Sequence, residues 1–101
     1  MGQTTIRRAG KQWRDGAPDY VVDCFDAGDK FVDRYTVFVN VISHGEVMYL
    51  ATNETGTFSG WQSTPLHMAR AYRYRHGHRR ISWADLPDKV KDMVRDIERD
   101  N

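Results

Sequence analysis

Two stretches of this chain concentrate side chains able to do chemistry. Residues 15–33 hold Asp15, Asp19, Asp23, Asp26, Asp29 and Asp33 against Lys30 alone. Residues 70–80 hold Arg70, Arg73, Arg75, Arg79 and Arg80, with His76 and His78 and no acid. A cation site is one use for clustered aspartates. The run Asp26-Ala27-Gly28-Asp29-Lys30-Phe31 lacks the alternating ligands and closing glutamate of a calcium loop. Capping of turns through side chain-to-backbone bonds is the simpler role. His76-x-His78 has no third ligand at a fixed spacing, so no metal is expected.

Nucleophilic chemistry finds no better footing. Cys24 is the single cysteine, so it has no intramolecular disulfide partner. Strand alternation sets it beside Tyr20 and Val22, where a buried thiol is inert. Ser59, Ser63 and Ser82 lack the glycine-flanked elbow of a serine nucleophile. Gly56-Thr57-Phe58-Ser59-Gly60 lacks the lysine of a phosphate loop. Asp33-Arg34-Tyr35-Thr36 opens a strand and reads as a structural ion pair before it reads as a site. The sequence therefore assigns no catalytic residue and no cofactor, and a non-enzymatic protein is expected.

What remains is binding through charge. Arginines alternating with Tyr72 and Tyr74 suit phosphate contact with base stacking, and arginine grips phosphate or carboxylate with two hydrogen bonds. Against nucleic acid stand a formal net charge of only +1 and the absence of any named nucleic-acid motif. The opposed patches have two possible uses. They pair with each other, within the fold or across a homodimer interface, or they dock a partner of complementary charge. The partner-binding candidates are Asp26, Asp29 and Asp33 on the acidic side. On the basic side they are Arg70, Arg73, Tyr74, Arg75, Arg79 and Arg80.

These groups must be positioned by a small set of elements. Alternation over Tyr20–Phe25 predicts a strand, followed by turn chemistry at Gly28. Arg34–Ser43 is apolar or β-branched at nearly every position, which marks a central strand covered on both faces. His44-Gly45 is a tight hairpin, and Glu46–Thr52 is the antiparallel return. Asn53–Gly60 reads as loop. Thr64-Pro65 resembles a helix start, predicting a short helix to about Tyr74. Arg79–Trp83 adds an edge strand.

With Pro87 in its first turn, Leu86, Val90, Met93, Val94 and Ile97 form one stripe of an amphipathic helix. Asp88–Lys91, Asp92–Arg95 and Asp96–Arg99 line its outer side.

With 101 residues, 40% apolar, one domain with one core is expected. The predicted fold is α+β: a three- to four-stranded, mainly antiparallel sheet, the C-terminal helix on one face, and a short middle helix. Residues 1–17, basic and polar around Trp13, read as a flexible arm, and residues 18–101 as the domain. No apolar run suggests a secretory signal or a membrane span, so a cytoplasmic location and no membrane partner are expected.

One motif carries a resemblance. Asp23-Cys24-Phe25-Asp26 leads on to Asp33-Arg34-Tyr35-Thr36-Val37, and the chain continues through Val47–Leu50, Phe58–Gln62 and Arg80–Val90. Together these resemble a group of small phage and mobile-element proteins with a Cys-(Tyr/Phe)-Asp…Asp-Arg-Tyr-Thr-Val motif. The likeness covers about two thirds of the chain, and it departs at Asp29, where the group has glycine, and at Ser63-Thr64-Pro65. It implies a phage or mobile-element origin and carries no catalytic residue over. Small proteins of that lifestyle commonly inhibit host defence machines, CRISPR complexes among them, by binding. The expected function is thus binding and inhibition of a host protein or ribonucleoprotein complex through charged patches. The alternative is a small nucleic-acid-binding protein using residues 70–80.

Overall fold

The structure, a computed structural model, describes residues 5–6, 16–71 and 79–100. The strands are β1 (Thr5–Ile6), β2 (Val21–Asp26), β3 (Tyr35–Ser43), β4 (Glu46–Thr52), β5 (Ser59–Pro65) and β6 (Arg79–Ile81). A helix, α1 (Asp88–Asp100), follows β6. The sheet runs β5-β4-β3-β2-β6, antiparallel throughout, and β1 pairs with the far end of β3. The α+β class is as expected, and the sheet is wider than three or four strands.

The widening comes mainly from β5. Ser59-Gly60-Trp61-Gln62-Ser63-Thr64-Pro65 carries a single large apolar residue, too little to register as an alternating strand. It is an edge strand in unbroken register with β4, from Thr52↔Ser59 to Glu46↔Pro65. Thr64, which resembles a helix cap, is buried in that strand opposite Val47. Pro65 has extended geometry (φ −53°, ψ 140°) and leads into a 3-10 turn at Leu66–Met68. Helical geometry continues over residues 69–71, and the remainder of the predicted middle helix lies outside the described residues.

β3 is the spine. Tyr35, Val37, Val39 and Val41 point to the α1 side and join Leu50, Trp83, Leu86, Val90, Val94 and Ile97 in the core. The helix stripe meets the sheet as its spacing predicts, and Tyr20 adds a polar pin: its hydroxyl donates to the Val94 carbonyl at 3.0 Å. Each fully buried apolar side chain there contributes roughly 1.5–3 kcal/mol. On the other face, Phe25, Phe38 and Tyr49 form a smaller cluster, with Phe38 stacked on Tyr49 and edge-on to Phe25.

Three local expectations shift. A β-bulge between Val21 and Asp23 breaks strict alternation, so Val21 joins Tyr20 and Cys24 on the α1 side while Val22 packs with Phe25. Ala17 is buried in the core and Thr5–Ile6 is paired, so the sheet recruits part of the segment expected as an arm. The rest of residues 1–15 lies outside the described residues. On α1, Asp96–Arg99 closes at 2.9 Å, whereas Lys91 reaches the Ala84 carbonyl and Arg95 lies over the Trp83 ring. No helix among the described residues is long and apolar enough to cross a membrane.

Candidate functional site

Ser59, Thr52, Tyr35, Asp26 and Arg79 form one row across the five strands. The β2–β3 loop (27–34), the β4–β5 loop (53–58) and the start of β6 therefore all emerge at the same end of the sheet. The hairpin at His44-Gly45, both residues at positive φ as such a tight turn requires, sits at the opposite end.

Asp26 anchors the loop end. Its Oδ1 accepts from the Gly28 backbone N–H at 2.8 Å and from Arg34 Nε at 2.7 Å. Its Oδ2 accepts from Arg34 Nη2 at 3.0 Å and from Arg79 Nη2 at 3.3 Å. The Arg34 fork is thus bidentate, the strongest geometry such a pair has. The same guanidinium lies 5.0 Å from the Tyr35 ring centre. Hydrogen bonding to Arg34 is the main reason the Asp26 carboxyl is held down to about 2. Burial opposes that shift, and the Gly28 N–H and Arg79 support it. Burial pushes the Tyr35 hydroxyl up.

A second pair runs diagonally between the same two strands, from Arg80, opposite Phe25, to Asp23. Asp23 Oδ1 is 2.6 Å from Arg80 Nη2. The acidic and basic segments therefore meet inside the fold at two places, because β6 is the neighbour of β2 and brings its arginines alongside the aspartates. Asp26, a partner-binding candidate, is 7% exposed and pairs with two arginines, which makes it an anchor of the loop end. Arg34 turns to Asp26 and not to its neighbour Asp33, which stays exposed.

Asp29, Asp33, Arg70, Arg79 and Arg80 are exposed, and Arg79 and Arg80 reach Asp26 and Asp23. Arg73, Tyr74 and Arg75 lie outside the described residues, as do His76 and His78. Cys24 is buried. Among the described residues no three His, Cys, Asp or Glu side chains converge as metal ligands would.

Sequence reasoning passed over the tips of the two loops. Ala27 N–H to the Arg34 carbonyl at 2.8 Å closes the β2–β3 loop at its base, and this projects Phe31 and Val32 outward. They are 53% and 59% exposed. Across from them, Asn53 organises the β4–β5 loop: its backbone N–H donates to the Phe58 carbonyl and its Nδ2 to Thr57 Oγ1, each at 2.9 Å. Phe58 is 60% exposed. A cleft of about 220 Å³ lies between the loops, lined by residues of both, Asp29, Phe31, Val32 and Arg34 on one side and Asn53, Glu54 and Thr55 on the other. Its chemistry is mixed: apolar at the tips, acidic at Asp29 and Glu54, with Arg34 already held by Asp26. The signal in the sequence was a Phe-Val pair inside a turn, where neither strand pairing nor turn geometry calls for bulky apolar residues.

Comparisons of the chain with protein-family models, with curated proteins and with solved structures find no match.

Proposed function

We propose that this protein acts by binding, without catalysis, and that the loop end is the surface that docks. The observation carrying this reading is the exposure of Phe31, Val32 and Phe58 at the tips of two loops whose bases are tied down. Large apolar side chains held in water at one end of a domain mark an interaction surface, and loops on a rigid scaffold are where such surfaces usually lie. Asp29, Asp33 and Glu54 give that surface an acidic rim suited to a basic partner surface.

The partner class follows from the resemblance to phage and mobile-element proteins: a host defence protein or ribonucleoprotein complex, CRISPR effectors included, inhibited by occupancy of a site. The nucleic-acid alternative is weakened at Arg79 and Arg80, whose charges are offset by Asp26 and Asp23.

A plasmid-interference assay in bacteria with an active CRISPR system tests the reading. Wild type should protect the plasmid in proportion to its own level. Cys24→Ala, His76→Ala and His78→Ala should protect equally, and the double variant Phe31→Ser, Val32→Ser should not. Protection lost on a single Cys or His substitution, in a folded protein, would favour an enzyme instead.

A further inference from the structure

The two edges of the sheet are built differently. The β6 edge is three residues long and carries Arg79 and Arg80, both exposed. Short edges bearing cations resist pairing with another strand. The β5 edge is seven residues long, paired with β4 in regular register without a bulge, and Ser59-Gly60-Trp61-Gln62-Ser63-Thr64-Pro65 holds no charged residue. Its proline is at the last position, where it does not interrupt the ladder. No described strand covers its outer side.

From this contrast we infer that β5 is a self-association edge: a second copy of this chain adds its own β5 antiparallel across a twofold axis and continues the sheet. A second copy fits for three reasons. An antiparallel strand pair is self-complementary, as a twofold interface requires. The segment is neutral, so self-pairing opposes no like charges, whereas two β6 edges would set arginines against arginines. Finally, Trp61 lies on the α1 side of the sheet, opposite Leu50, packed against the core but only partly covered. When Gln62 pairs with its own mate, Trp61 of one copy falls diagonal to Trp61 of the other, within reach for an aromatic side chain. The seam thereby covers the apolar surface that a lone edge leaves wet. One strand pair buries less than the ~1,600 Å² of a standard interface, so the dimer is reversible and depends on concentration. This proposal is independent of the loop-end reading, since β5 is tested without any partner.

Gln62 provides the test. It is exposed, on the face opposite Trp61, and accepts a hydrogen bond from the Tyr49 hydroxyl at 3.0 Å. Sedimentation equilibrium of the full chain over a concentration series should show a monomer–dimer equilibrium for wild type. Gln62→Lys and Gln62→Glu each place like charges across the seam and should each weaken the dimer roughly fivefold. Mixing the two variants in equal amounts should restore association as a heterodimer, which damage to the fold does not produce. Gln62→Glu keeps the acceptor for Tyr49, so its thermal melt should match wild type. A wild type that stays monomeric at the highest concentration, or a dimer that neither variant weakens, would overturn the inference.

Discussion

The base and the tip of the loop end follow opposite rules. At the base, Asp26 is buried and its carboxylate is taken up by Arg34, Arg79 and the Gly28 N–H. A few residues on, Phe31 and Val32 are more than half exposed. Charge is turned inward, away from any partner, and apolar surface is turned outward, where solvent penalises it. Charge runs in a sequence thus mark structure as readily as they mark binding. Here the aspartates and arginines hold a platform, and the platform presents the apolar tip.

Substitutions separate the two, beginning with the largest effect. Val94→Asp attacks the support common to both, since Val94 is fully buried and its carbonyl receives the Tyr20 hydroxyl. A buried, unpaired carboxylate should cost about 4 kcal/mol, enough to unfold much of the population in a denaturant titration. Asp26→Asn should cost about 2 kcal/mol, between a buried pair and a surface one, because Arg34 and Arg79 keep contact with water. In a domain of this size that lowers Tm by about 10 °C.

The Asp26 contribution also has a sign in pH. The folded carboxyl is depressed to about 2 from an ordinary value of 3.8, so its stabilisation is complete above 3.8 and is lost as pH falls through 2. The Tm gap between wild type and Asp26→Asn should therefore close across that window. A gap independent of pH would mean that the carboxylate charge does not hold the base.

Gly56→Ala probes the second loop. Gly56 has φ +74°, and an added Cβ would stand 3.1 Å from Met93 Sδ. About 1 kcal/mol of destabilisation is expected from strain and crowding together, read by thermal melt. Smallest of all should be changes at the tip and rim. Asp29→Lys, Asp33→Lys and the Phe31→Ser, Val32→Ser double variant should each stay within ~0.5 kcal/mol of wild type. A large loss of stability in the double variant would show that the tip is packed rather than presented.

Much of the frame was legible in the residues. Alternation in Tyr35–Ser43 gave the spine and its two faces, His44-Gly45 gave the hairpin, and Leu86 through Ile97 gave the helix stripe that meets the sheet. β5 was hidden because an edge strand beside solvent needs little apolar surface, and Ser59–Pro65 has only Trp61. Thr64-Pro65 misled because a Thr-Pro pair suits the end of an edge strand as well as the start of a helix. Asp26 could not be told from Asp29 or Asp33 by type. Its role rests on the Arg34 fork reaching back across the β2–β3 loop, with Arg79 added by the long-range pairing of β6 beside β2. The tip was not legible because Phe31-Val32 carries no periodicity, and only the fold shows that the turn leaves both side chains exposed.

The most direct test of the docking claim is titration of CRISPR interference against the level of wild type and of the Phe31→Ser, Val32→Ser double variant, both confirmed folded by thermal melt. Wild type should inhibit in one-to-one proportion to the effector complex, and the double variant should lose inhibition with its Tm unchanged. Equal inhibition by the double variant, or none by wild type, would contradict that claim.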